Sequence, residues 1–275
     1  MGGLTTIGNA PFSREDMRGS LDEFSRLYDT RPIKHNAGGM SSPHMFLAWF
    51  MLRMLRPAAV VESGIWRGQG TWLIEQACPE ARLYCIDIDL SNRRYKSERA
   101  EYFDRDFSMI DWTGLPKDET LLFFDDHQNG YERVKTAKWF GFKHMIFEDN
   151  YPAFEGDCYS LKKAFAHAGL RFDLVRSDSP KLKYKQLKRK MLVRIGRMEE
   201  VAPNDIDAKY LRQNLSVYCE LPPVFKVERM RFGTAWDDEN FPTPEPLLQS
   251  VEQDYQRRFL DEAASYTWMC YARLK

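Results

Sequence analysis

From Ala58 onward the chain alternates short apolar runs with amphipathic stretches. Ala59–Glu62, Leu83–Asp87, Leu121–Asp125, His144–Glu148 and Phe172–Arg176 are apolar and end in polar or turn residues, the pattern of buried strands. Between them Thr71–Ala77, Tyr131–Trp139 and Tyr159–Ala168 carry helical spacing. Short apolar strands separated by helices imply a parallel sheet covered on both faces. Upstream, a helix is expected near Leu21–Tyr28, then a loop over Arg31–Met40. A second helix should follow, with Ser42 as its cap, Pro43 in its first turn and Met45–Leu55 filling it until Pro57. After Ser177 the rhythm breaks: Pro222-Pro223 and Pro242, Pro244 and Pro246 mark loops, and Tyr266–Leu274 alternates like one last strand. The expected organisation is a helical and lid segment (1–57), an α/β core (58–178), an inserted substrate region (179–262) and a final core strand (263–275).

Composition narrows the class. The 275 residues carry 40 basic and 40 acidic side chains, so the formal net charge is zero and a generic polyanion binder is disfavoured. With 43% hydrophobic and 29% charged residues, wholesale disorder is excluded. The five cysteines are far apart and form no C-x-x-C pair, which argues against a zinc ribbon or redox pair and fits a reducing cytoplasm. No signal peptide is evident, and the longest apolar stretch, Met45–Leu52, is too short to span a bilayer. The N-terminal Met1-Gly2-Gly3-Leu4-Thr5-Thr6 fits the loose myristoylation pattern, which matches often by accident.

Three constellations carry candidate chemistry. The first is the turn after the first strand, Glu62-Ser63-Gly64-Ile65-Trp66-Arg67-Gly68-Gln69-Gly70. Glycines there let the backbone approach a ligand and free helix N–H groups, but the spacing is not G-x-G-x-x-G, which demotes a nicotinamide dinucleotide. The second is Asp87, ending the second strand, whose carboxylate can accept both hydroxyls of a ribose lying over that turn. The third is a pair of polar strand ends, Asp125-Asp126-His127-Gln128-Asn129-Gly130-Tyr131 and Glu148-Asp149-Asn150-Tyr151. On adjacent strands, Asp126, Asp149 and Asn150 would converge on one cation, and three oxygen donors with two negative charges suit Mg²⁺.

Together these residues resemble class I S-adenosylmethionine-dependent methyltransferases, in particular the metal-dependent catechol and macrocin O-methyltransferase types. The resemblance covers roughly Asn36 to Asp178 and the last strand. It implies a Rossmann-like methyltransferase fold: doubly wound α/β, with a mainly parallel sheet of the seven-stranded type and an antiparallel last strand. Glu62, Gly64, Trp66 and Gly68 look like the family's cofactor loop, Asp87 its ribose acid, and Asp106-Phe107-Ser108 falls at its adenine pocket. The Asn36–Ser42 loop, with Gly38, sits where the family places a lid over the methionine end of the cofactor. Asp126-His127-x-x-x-Tyr131 and Asp149-Asn150 look like the two metal half-sites.

One departure matters. The catechol enzymes' lysine base is Asn129 here, and the macrocin type's aspartate is Gln128. Deprotonation would fall to His127, Asp125 or His35. The expected activity is methyl transfer from S-adenosylmethionine to a hydroxyl of a small molecule or sugar, assisted by Mg²⁺ or another divalent cation. The rivals are a cofactor-binding protein without transfer, and a transferase acting on RNA or another polyanion. The second is motivated by the basic run Lys181, Lys183, Lys185, Lys188, Arg189, Lys190, Arg194 and Arg197. A homo-oligomer is compatible with the sequence. Trp236, Phe241 and Trp268 could be core or pocket walls.

Overall fold

Strands β1 (Ala59–Ser63), β2 (Arg82–Ile86), β3 (Ala100–Phe103), β4 (Thr120–Phe124), β5 (His144–Phe147), β6 (Leu215–Glu220) and β7 (Cys270–Leu274) form one sheet in the order β3-β2-β1-β4-β5-β7-β6. The first five run parallel, and β7 is antiparallel to both β5 and β6. This is the doubly wound α/β sheet with an antiparallel last strand that was expected. The computed structural model describes residues 4–153, 155–166, 188, 191, 205–231, 233 and 235–275. The expected strand Phe172–Arg176 and all of the basic run except Lys188 lie outside the described residues.

Side chains alternate across the sheet with the two-residue period of a strand, and each face has its own apolar core. Val60, Leu121, Phe123 and Ile146 face helices α1 (Arg14–Asp29), α2 (Ser42–Leu55) and α3 (Gln69–Ala77). Ala59, Val61, Leu122 and Phe124 face α4 (Gly130–Phe140), α5 (Leu161–Phe165) and α6 (Ile206–Asn214). A last short helix, α7 (Arg257–Asp261), buries Phe259 against Phe24 of α1 and Phe46 of α2. Helix α2 is apolar all round, and residues 45–52 are all buried, as a helix without a polar face must be. No helix among the described residues is long and apolar enough to cross a membrane.

Several expectations shift. Helix α1 begins at Arg14, well before Leu21, because Ser13 and Asp16 form a capping box there. The N-cap of α2 is Ser41 and not Ser42; the buried Ser42 N–H donates to the Glu262 carboxylate at 2.6 Å, which satisfies an orphan donor of the first turn. The segment expected to be helical and lid-like is also structural, since α1 and α2 supply part of one core and Ile7 bridges to Tyr218 of β6. β6 lies inside the stretch expected to be an insertion, yet it completes the sheet. Trp268 is core: it is 2% exposed and packs against Tyr151, Trp236 and Tyr266. All five cysteines are free and buried.

The ion pair of Lys162 and Glu220 is internal. Lys162 Nζ donates to Glu220 Oε1 and Oε2 at 2.8 and 2.7 Å and to the Pro242 carbonyl at 2.8 Å. Burial lowers the lysine's pKa and pushes the glutamate up to about 7, so each is stabilised mainly by the other. Lys162→Met should therefore cost about 3–5 kcal/mol in urea unfolding, and Lys162→Met/Glu220→Leu should recover most of it. An equal loss in both variants would show that the pair is not the source.

Candidate active site

The exits of β1, β2 and β4 open onto one pocket of about 410 Å³ at the carboxyl ends of the parallel strands, where open α/β sheets place ligands. Asp125 N–H donates to the Ser63 carbonyl at 2.8 Å, so the β1 exit runs directly against the end of β4. Gly64 sits at the crossing with φ +95°; a Cβ there would lie 2.0 Å from the Asp125 carbonyl oxygen, so only glycine fits. Asp87 holds the loop from the β2 side. Its Oδ2 accepts the N–H groups of Ile65 (3.0 Å) and Trp66 (2.9 Å), and its Oδ1 accepts the N–H of Asp89 (3.0 Å). Trp66 and His127 both take left-handed backbone conformations, with φ of 50° and 52°. Such strain gathers where surrounding structure over-determines the backbone.

Of the ten expected cofactor residues, Gly38, Gly64, Trp66, Asp87 and Asp106 line the pocket. The other five are supports. Asn36 reaches the Met40 carbonyl and ties the lid loop to itself (3.4 Å). Ser42 is buried against Glu262. Gly68 is the left-handed N-cap of α3. Phe107 is fully buried among Trp112, Phe124, Phe140 and Phe142. Glu62 lies behind the loop, where its Oε2 accepts hydrogen bonds from Thr71 Oγ1 (2.5 Å) and Cys85 Sγ (3.3 Å). Ile86, Ile88, Ser63, Gln128 and Arg133 line the pocket without having been expected there. Arg133 left a signal: it is a charged residue in the buried stripe Gly130, Arg133, Val134, Ala137 of α4.

The expected oxygen triad does not assemble. Asn150 is fully buried; its Nδ2 donates to Tyr218 Oη (3.0 Å) and the Trp268 carbonyl (3.1 Å), and its Oδ1 accepts the Lys162 N–H (2.9 Å). Asp126 turns away from Asp149: its Oδ2 accepts from Ser63 Oγ (2.6 Å) and pairs with Arg133 Nη2 (2.8 Å). The donors that do converge are Asp125, His127 and Asp149, whose ligand atoms lie within 4.8 Å of one another. Asp149 is buried, and its Oδ1 has no hydrogen-bond partner among the described residues. A coordinated cation would satisfy that buried oxygen. Two carboxylates and one imidazole suit Mn²⁺ at least as well as Mg²⁺.

Of the three expected bases, His35 is an exposed lid residue whose carbonyl accepts from Arg67 (3.1 Å). His127 Nδ1 lies 2.7 Å from Asp149 Oδ2 and 3.2 Å from Asp157 Oδ1. These hydrogen bonds, Asp149's first, push the imidazole up to about 11, so in the bare site it is held protonated and cannot take a proton. Burial, then the charge of Glu148, pushes Asp149 up to about 7; burial with Glu148 and Asp149 raises Asp125 well above the carboxylate range. Glu148 also lies 2.8 Å from Nδ1 of the buried His44.

No protein-family model and no curated protein matches the sequence. Among solved structures the chain is similar to the SAH-bound methyltransferase PaMTH1 of Podospora anserina, with 15% identity, 66% of this chain and 79% of that one covered, and a TM-score of 0.40. It is similar also to the O-methyltransferase TomG of Streptomyces achromogenes in complex with SAM, with 16% identity, 70% and 81% covered, and a TM-score of 0.35. The plantazolicin methyltransferase BpumL, in complex with a pentazolic desmethylPZN analog and SAH, is 12% identical over 95% of this chain and 93% of that one, with a TM-score of 0.38. These likenesses are distant, and the fold is defined by the strand order itself.

Behind the glycine loop, burial pushes the Glu62 carboxyl from 4.5 up to about 8. Between those values the folded protein keeps a proton that the unfolded chain has lost, so stability falls as pH rises through the window. Glu62→Gln should abolish that fall, which amounts to at most about 1.4 kcal/mol per pH unit, in urea titrations at pH 5 and pH 8. Parallel losses in both proteins would refute the assignment.

Proposed function

We propose that the chain is an S-adenosylmethionine-dependent O-methyltransferase acting on a hydroxyl of a small molecule or sugar. One observation carries this reading: a single pocket joins the glycine loop, Asp87 and Asp106 to the convergent donors Asp125 and His127. A volume of about 410 Å³ suits a metabolite-sized ligand. In this reading Asp87 receives the ribose, Ile86 and Ile88 flank the base, Asp106 accepts from it, and Gly38 and Gly64 cover the amino-acid end. When bound, the cofactor supplies an activated methyl group, and a divalent cation supplies positive charge that favours the acceptor's oxyanion.

Asp125, Asp149 and His127 would hold the cation, in place of the expected set with Asp126 and Asn150. The chain's own groups orient the acceptor, since an in-line displacement is governed by positioning. His127 is the candidate to move the acceptor's proton at Nε2 when it does not itself ligate the cation, since an imidazole bound through one ring nitrogen carries its proton on the other. It can do so only when the charge of Asp149 is drawn off, because Asp149 contributes most to holding the ring protonated. A macromolecular acceptor is the second reading, favoured by the basic run at 181–197.

Titration calorimetry with S-adenosylhomocysteine tests the first reading. Wild type should bind in the micromolar range, and Asp87→Ala should weaken binding by about 10-fold or more. Wild type that fails to bind would sink it. In a separate titration Mn²⁺ should bind wild type and not Asp149→Ala; equal behaviour of the two would remove only the cation. Salt-sensitive RNA binding, lost on neutralising 181–197, would favour the second reading.

A further inference from the structure

Arg133 projects from α4 into the floor of the pocket, its side chain 9% exposed, between Asp106 of the loop after β3 and Asp126 after β4. Its Nη1 and Nη2 donate to Asp106 Oδ1 and Oδ2 at 3.1 and 2.6 Å, and Nη2 also lies 2.8 Å from Asp126 Oδ2. Asp126 is held in turn by Ser63 Oγ at 2.6 Å. The Phe124 and Phe107 rings back the guanidinium, with centroids 5.6 and 6.0 Å from its central carbon. One cation thus ties the loop after β3 to the end of β4 and, through Ser63, to the end of β1.

The arrangement depends on the chemistry of a guanidinium. A planar fork can grip one carboxylate with two N–H groups and still reach a second; an ammonium has no such geometry. Without the fork, Asp106 and the largely buried Asp126 would face each other with no counter-charge between them, and their repulsion would loosen that wall of the pocket. Asp106 also accepts from Ser108 N–H (2.9 Å) and Oγ (2.6 Å), so its Oδ1 is saturated and Oδ2, with Arg133 as its one donor, remains to meet a ligand.

We propose that Arg133 is a positioning residue that sets the width and charge of the pocket by clamping Asp106 to Asp126, and that cofactor affinity depends on its guanidinium group. This rests on the reading of the pocket as a cofactor site. It also accounts for the absence of Asp126 from the convergent donor group: the guanidinium already holds its carboxylate.

The test is calorimetry of the full-length chain with S-adenosylhomocysteine. Arg133→Ala should weaken binding by about 10- to 100-fold, the value of a charge-assisted hydrogen-bonded clamp. Added methylguanidinium should restore a large part of that loss and methylammonium should not, a rescue that a general folding defect would not show. Should Arg133→Ala not fold, Arg133→Lys keeps the charge and loses the fork, and weaker binding than wild type is again expected. Affinity within about twofold of wild type in a folded Arg133 variant would overturn the proposal, as would loss in folded Arg133→Ala without guanidinium-specific rescue. Wild type that binds no S-adenosylhomocysteine sinks both this and the functional reading. Wild type that binds while the Arg133 variants bind equally well sinks this one alone.

Discussion

The close crossing of β1 over the end of β4 is the constraint on which the rest of the site depends. The hydrogen bond from Asp125 N–H to the Ser63 carbonyl draws two strand exits together, and Gly64 lets the backbone pass where no Cβ would fit. From that contact the β1 loop turns toward Asp87, which accepts two of its N–H groups, while β4 delivers Asp125, Asp126 and His127 to the same opening. Parallel neighbours share a register, so β5 brings Glu148 and Asp149 to the same level beside them.

So many carboxylates at one end of a sheet must be compensated, and basic side chains of the chain itself do this. Arg133 holds Asp106 and Asp126 on the pocket floor; burial alone would raise Asp106, but Arg133 and Ser108 keep it well below the usual carboxylate range. His127 holds Asp149 and Asp157 on the other side. Asp125 lies between these clusters with its pKa raised by burial and by the acids around it. Which acids are spent and which remain available to a ligand is therefore decided by the basic side chains around them. The strand-end acids alone do not determine it.

A buried polar path connects this end of the sheet to α2. The His44 imidazole, which burial pushes down to about 3, faces Glu148 at 2.8 Å through Nδ1, and its Nε2 faces the Ser265 carbonyl. Thr267 Oγ1 donates to the Glu148 carbonyl at 2.6 Å, and Asn150 N–H donates to the Thr267 carbonyl at 2.9 Å. The segment carrying Asp149 is thus clasped on both sides, by α2 and by the entrance to β7. Asn150 belongs to that clasp, which is why its amide is not free to bind a cation.

The apolar rhythm alone placed β1, β2, β4, β5, β7 and the cores of α1 to α4, because buried parallel strands are continuous apolar runs and packed helices carry an apolar stripe. It did not reveal β3, whose Ala-Glu-Tyr-Phe lies half-exposed at the sheet edge. Nor did it reveal β6, whose Leu-Ser-Val-Tyr-Cys-Glu sits far along the chain from its partners. At the pocket, the strand-end pattern singled out Gly64 and Asp87 and the family resemblance singled out Asp106, and all three line it. Tertiary structure decided the rest. Whether Asp125 or Asp126 faces Asp149 is a rotation of one residue at a strand end, set by Arg133 from a helix turn later and Ser63 from another strand. The fate of Asn150 was set by Tyr218 of β6 and Trp268 at the entrance to β7, both far along the chain from it. A strand's apolar pattern is written in consecutive residues; the partner of a polar side chain is chosen by whatever the fold brings within about 3 Å of it.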